Sequence, residues 1–222
     1  LGSMPILMAG AEEQKQKYLA PAATGETLCA FALTEPQSGS DAAQIRTTAV
    51  LDGDEWVING SKAFITNSTY ASTFLVAAKT DLEAKGSRGI SIFIVPAGLP
   101  GFEVGKPEEK MSNRSSYSCP LSFTDVRIPK ENLVGELNRG FPIFMKCVDD
   151  GRVAISAVAV GMAQGVLERA ARYSKERVTF GHPICENQAI AFKLAEMATE
   201  IEVARAMLYN TARMSDNGVP FS

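Results

Sequence analysis

The chain has 222 residues, 45% apolar and 21% charged, with a net charge of −3 and the two signs interspersed. That is the balance of a globular protein burying one large core or two modest ones; it offers no basic groove for nucleic acid and no acidic tail. Four dispersed cysteines and a single histidine exclude a zinc-finger framework and a histidine-based metal centre, and unclustered thiols suit a reducing compartment.

The opening Leu1-Gly-Ser-Met-Pro5 is not a signal peptide and reads like the interior of a longer protein. Residues 10–19 carry the pattern of a short helix with a polar face, ending before Pro21. From Thr27 the period changes to two. Leu28–Leu33 reads as an apolar strand. Thr47–Leu51 and Glu55–Ile58 form a hairpin around Asp52-Gly53-Asp54, because Asp-Gly supplies the positive φ such turns need. A further turn at Asn59-Gly60 leads to Ala63–Thr66, and strands follow at 73–79, 91–95, 102–104 and 121–128. Short strands at this spacing indicate an antiparallel β domain.

After Pro129 the period becomes helical. One helix is expected from Phe141 to about Ser174, with Gly151, Gly161 and Gly165 inside it; each glycine costs about 1 kcal/mol against alanine, so close approach of a helix or ligand is one reason for them. His182 lies in a loop, and a second helix runs from about Glu186 to Ser215. Its face of Ile190, Leu194, Met197, Ile201, Ala204 and Leu208 is buried. Two long helices bury little alone and should pack on others or on a partner subunit. No run of about 18–20 apolar residues suggests a membrane span.

Two polar runs leave apolar strands: Thr34-Glu-Pro-Gln-Ser-Gly-Ser-Asp41 and Asn59 to Asn67. By itself the first is a generic turn, in which Pro36 and Gly39 bend the chain and Thr34 and Ser40 offer hydroxyls. Phe31 and Leu33 alternate outward on one strand face, and Phe64-Ile65-Thr66 adds an aromatic and a hydroxyl. Such a set suits a large planar heterocycle such as isoalloxazine. Asp149 and Arg152, early in the first helix, read on spacing alone as a charge pair on a solvated face, and Arg177 as an arginine satisfying helix-end carbonyls.

These runs resemble the acyl-CoA dehydrogenases along nearly the whole chain, from Glu12-Glu-Gln-Lys15 to Leu194-Ala-Glu-Met197, with Ala32–Asp41 fitting the family's first signature except for the bulkier Gln44. The resemblance implies an α+β fold: an antiparallel β-barrel-like middle domain followed by the first two long helices of a C-terminal helical bundle. Its divisions are 1–26 (end of an N-terminal helical domain), 27–133 (β domain) and 134–222 (start of the helical domain). It implies FAD, lined by Phe31, Leu33, Thr34, Gly39 and Ser40 and covered by Phe64, Ile65 and Thr66, with Thr66 near flavin N5. Phe64 stands where several members carry tryptophan. Ser40, Asp149 and Arg152 would touch the acyl-CoA. Arg177, Thr179, Phe180 and Gln188 would reach the pyrophosphate and adenine of a flavin in a neighbouring subunit; no Rossmann fingerprint or P-loop offers another way to hold a dinucleotide.

The activity implied is α,β-dehydrogenation of a short- or medium-chain acyl-CoA to a trans-2-enoyl-CoA in fatty-acid β-oxidation. Electrons would pass to an electron-transfer flavoprotein, and the enzyme would be a dimer of dimers (a homotetramer) in the bacterial cytoplasm or mitochondrial matrix. Gly151 occupies a position where some branched- and long-chain members carry the catalytic glutamate. The base and a later flavin loop are therefore expected beyond Ser222, no catalytic residue or metal ligand is assigned here, and this piece alone should be inactive and hold FAD weakly. An acyl-CoA oxidase, enoyl-CoA reductase or flavin monooxygenase of the same fold, or a non-catalytic module, are the alternatives.

Overall fold

A computed structural model describes residues 1–221, which fall into two compact units divided after Cys147. The first opens with α1 (Met4–Ala9) and α2 (Glu12–Gln14), then a π-helical turn (Lys15–Leu19) leading into α3 (Ala20–Ala23). The chain thus stays helical through Pro21 instead of stopping before it. The widened π turn and Pro21's place at the start of α3 relieve the helix of an amide that proline lacks. The Gln14 amide donates to the carbonyls of Glu131 (2.7 Å) and Leu133 (2.9 Å), tying these helices to the end of the sheet.

The strands are β1 (Cys29–Ala32), β2 (Thr48–Asp52), β3 (Glu55–Thr66), β4 (Thr73–Lys79), β5 (Ile90–Pro96), β6 (Phe102–Val104), β7 (Ser118–Pro129) and β8 (Leu133–Val134). Their order is β6-β7-β3-β2-β4-β5-β8, with β1 also on β4. Most pairings are antiparallel, but β1 and β2 both run parallel to β4, so the sheet is mixed. β4 and β5 are buried along almost their whole length, with apolar runs at 74–78 and 92–95, because both faces are covered. One face packs Phe74, Val76 and Phe93 against Trp56, Ile58, Leu121 and Phe123 from the β3–β7 half, the barrel-like fold of the sheet onto itself. The other packs Leu75, Ile92 and Ile94 against Ile6, Leu33, Ile45 and Phe144.

The hairpin at Asp52-Gly53-Asp54 forms as expected, with Gly53 at φ +64°. Asn59-Gly60 is not a turn: β3 continues through it and the ladder with β7 shifts register there. Gly60 has φ +144° and lies so close to Thr47 that an added Cβ would sit 2.6 Å from its hydroxyl oxygen. The Asn59 side chain bridges the gap, accepting the Asp125 N–H and donating to its carboxylate, both at 2.9 Å. The irregularity is a β-bulge in a continuous ladder and replaces the expected turn.

The second unit contains most of α4 (Gly140–Glu176), then a small hairpin of β9 (Val178–Thr179) and β10 (His182–Pro183), and α5 (Gln188–Asp216). Ile201 of the expected α5 face is buried, Ile190, Leu194, Met197 and Leu208 are half-buried, and Ala204 is exposed. Arg205 donates to the Gln164 side chain at 2.9 Å, linking the two helices. Contrary to the expectation from contiguous apolar runs, α4 is long and apolar enough to cross a membrane by length and composition alone. Ile155, Val158, Met162 and Val166 on it are exposed, and an added Cβ at Gly161 or Gly165 would meet nothing within 4 Å.

Candidate functional site

β1 delivers the Thr34 loop to the edge of β3, where the carbonyl of Thr34 accepts the Ala63 N–H at 2.9 Å. The two polar runs are therefore neighbours, held strand-like, although the turn of Pro36 and Gly39 intervenes. Phe64 follows at once. Its φ is +59°, left-handed territory that a bulky residue rarely occupies, and a second register shift against β7 falls between Lys62 and Ile65. The irregularity turns the ring outward, leaving Phe64 63% exposed while Ile65 next to it is buried. Thr66 is exposed, its hydroxyl 3.2 Å from that of Ser118 across the ladder. Thr34 is half-buried and Ser40 exposed, and neither hydroxyl bonds to another described residue. An added Cβ at Gly39 would meet nothing within 4 Å, so one side of the loop is open.

Phe31 and Leu33 do not project outward together. Leu33 is buried, and Phe31 is half-buried and edge-on to Phe144, with ring centroids 4.4 Å apart. Both pack into the cluster of Leu75, Ile92 and Phe144, so that face is core, and these residues can offer a ligand mainly backbone.

Beneath the loop lies an ion pair that the sequence reading missed. Lys62 is fully buried and Glu35 nearly so, with Nζ 2.8 Å from Oε1. Glu35 also accepts the N–H groups of Thr47 (3.0 Å) and Arg46 (2.6 Å) and the Gln37 amide (2.6 Å), while Lys62 donates to the Leu33 carbonyl (3.1 Å). Burial pushes the Lys62 pKa down to about 8 although Glu35 opposes this. Burial pushes the Glu35 carboxyl up, but the Lys62 charge and the bonds it receives outweigh this and hold it below its usual value. The signal was available: Trp56, Ile58 and Lys62 occupy the same inward parity of β3, and a lysine there demands an acid.

In the second unit, Asp149 and Arg152 pair with each other at 2.6 Å, and Asp149 is the more buried. They stand at one end of a groove of about 460 Å³ lined by Val153, Val160, Ala204 and Leu208. Thr179 begins the tight turn of the small hairpin, where Phe180 (φ +52°) and Gly181 (φ +85°) have the signs of a type I′ turn. Phe180 at its tip is 98% exposed. Arg177 and Gln188 are exposed at the adjoining ends of α4 and α5. His182 lies 3.7 Å from Glu186 in the same corner. Among the described residues no group of three or more His, Cys, Asp or Glu could hold a metal.

Residues 30–126 match the family model "Acyl-CoA dehydrogenase, middle domain", and residues 138–222 match "Acyl-CoA dehydrogenase, C-terminal domain". The short-chain-specific acyl-CoA dehydrogenase of Clostridium acetobutylicum is 46% identical over 213 residues, 96% of this chain and 56% of that protein. A chain of the structure described as the electron transferring flavoprotein of Acidaminococcus fermentans superposes with a TM-score of 0.95 at 49% identity, covering 100% of this chain and 58% of its own length. An acyl-CoA dehydrogenase from Bacillus anthracis complexed with FAD superposes at 0.89 with 41% identity, over 96% of this chain and 37% of that one. The chain thus spans little more than half the length of the curated relatives it matches.

Proposed function

The chain belongs to the acyl-CoA dehydrogenase family, and from that premise we propose that it supplies the flavin shelf of an FAD-dependent dehydrogenase of short acyl-CoA thioesters. The observation that carries this is Phe64: an aromatic ring turned outward at a strained φ, beside a half-buried Thr34 hydroxyl without a partner and the Thr66–Ser118 hydroxyl pair. Strain and exposure both oppose folding, and both are repaid if a planar ring covers Phe64. The residues fit FAD, which when bound supplies the acceptor for the substrate's β-hydride.

This chain's own contribution is positioning. Thr34 and Thr66 would donate to the edge of a bound ring, and Ile65 anchors the segment in the core. The open side of the Gly39 turn leaves room for ligand close to the backbone, with Ser40 beside it. Asp149 and Arg152, at the end of an apolar groove, suit a polar linker entering ahead of an acyl chain. We assign no base to Glu168, Glu196 or Glu200: the first accepts from Gln164 at 2.8 Å, and all three are exposed on helices. Arg177 and Phe180 would serve the flavin of a second subunit, a reading supported by the almost fully exposed phenylalanine at the hairpin tip. The likeness to a chain from an electron transferring flavoprotein structure supports such a flavoprotein as the electron acceptor.

Anaerobic mixing of butyryl-CoA with the FAD-loaded protein, prepared at the full length of the relatives of which this chain spans 56–58%, tests the reading. Bleaching of the visible flavin band, with formation of the enoyl-CoA, is expected; a flavin that stays oxidised with every saturated acyl-CoA overturns it.

A further inference from the structure

We propose that Glu35 and Lys62 are positioning residues of the flavin shelf: their buried ion pair fixes the distance between the Thr34 loop and the Phe64–Thr66 segment. This rests on the flavin reading above. Residues 33, 34 and 35 are each tied to β3 just before Phe64. Lys62 holds the Leu33 carbonyl (3.1 Å), the Ala63 N–H holds the Thr34 carbonyl (2.9 Å), and Lys62 holds the Glu35 carboxylate (2.8 Å).

The same carboxylate gathers the start of the next strand, because Oε2 accepts the Arg46 N–H and Oε1 the Thr47 N–H. Gly60 lets Thr47 come close to β3 from the other side. One carboxylate therefore joins the Thr34 loop, the approach to β2, and β3. The Gln37 amide, bonded to Oε2, extends the same lattice into the turn ahead of Gly39 and Ser40.

Neither charge can reach a ligand through solvent, since Lys62 is 0% and Glu35 3% exposed. Stability alone is a poor reason for the pair, because apolar residues of similar volume usually serve a core as well or better. What a buried pair supplies that an apolar contact does not is direction: each partner fits in one place only. A shelf that must present the Thr34 and Thr66 hydroxyls to one ring needs placement to about 0.5 Å.

The test compares the FAD-loaded wild-type protein with Glu35→Gln, which keeps the shape, and with the double change Glu35→Leu and Lys62→Met, which removes both charges. Trp56 fluorescence on heating reports whether the β unit is folded. FAD affinity, the visible circular dichroism of the bound flavin and its reduction potential report placement. Variants that stay folded are expected to bind FAD about tenfold more weakly, with an altered flavin dichroism. Folded variants with wild-type affinity, dichroism and potential would show that the pair serves the fold alone. Should neither variant fold, hydrogen exchange in the wild-type protein decides: Arg46 and Thr47 amides protected without FAD support a preformed clamp, and protection appearing only with FAD overturns it. A wild-type protein that takes up no FAD removes the flavin reading itself, a result seen before any variant is made.

Discussion

Lys62→Met takes the ammonium out of a closed core and leaves the Glu35 carboxylate behind. Methionine fills most of the space and is flexible enough to adapt. Glu35 keeps the Thr47 and Arg46 N–H groups and the Gln37 amide, so three of its four hydrogen bonds survive. Removing one partner of a buried pair costs about 3–5 kcal/mol, and the surviving bonds put this site at the low end, about 3 kcal/mol at pH 7. Lys62 is charged in the wild type at that pH, since its pKa is about 8.

The pH dependence carries a sharper test. In the wild type the Glu35 carboxyl is held below its usual value, so its contribution is present at neutral pH and is lost as pH falls. Without Lys62, burial is unopposed by charge and the folded carboxyl titrates above its unfolded value. The variant then recovers stability as pH falls from 7 toward 5, because protonation on folding is favoured. The gap between the two proteins should therefore narrow on acidification. Urea unfolding followed through Trp56, the one tryptophan and a member of the β core, measures it at each pH. A gap below about 1 kcal/mol at pH 7, or one that stays constant or widens at pH 5, refutes the argument.

Phe64→Gly relieves a positive φ and removes an exposed ring, so the β unit should lose no stability, or gain up to about 1 kcal/mol, while FAD affinity falls; thermal melts and flavin titration give both numbers. Phe180→Asn places a residue favoured at the first position of a type I′ turn, so the hairpin should hold while FAD binding and subunit association weaken, as read by titration and sedimentation. Arg177→Ala should weaken FAD binding about tenfold and flatten its salt dependence, which affinity measured across ionic strength reports.

The parts of the fold that showed in the sequence are those where one local rule decides. β4 and β5 carry apolar runs because both faces are covered, and the Asp52-Gly53-Asp54 hairpin follows from its own turn chemistry. α5 shows its inward stripe at helical spacing. What escaped depends on distant neighbours. Asn59-Gly60 has the composition of a turn, yet it runs on inside a long strand, facing a bulge of β7 at Asp125 and packed against Thr47. Pro21 reads as a stop until a π turn carries the helix through it. The hairpin at Val178–Pro183 is too short for a period and places a phenylalanine where glycine or asparagine is usual. The candidate shelf was legible as hydroxyls and an aromatic; that Phe31 and Leu33 face the core, and that Glu35 and Lys62 hold the loops, required the three-dimensional neighbours.

The most direct measurement is a crystal structure of the protein with FAD. The account predicts the isoalloxazine edge within hydrogen-bond distance of the Thr34 and Thr66 hydroxyls, Phe64 covered by the ring, and Arg177 of another copy at the pyrophosphate. A flavin bound elsewhere, with Phe64 still bare, would contradict it.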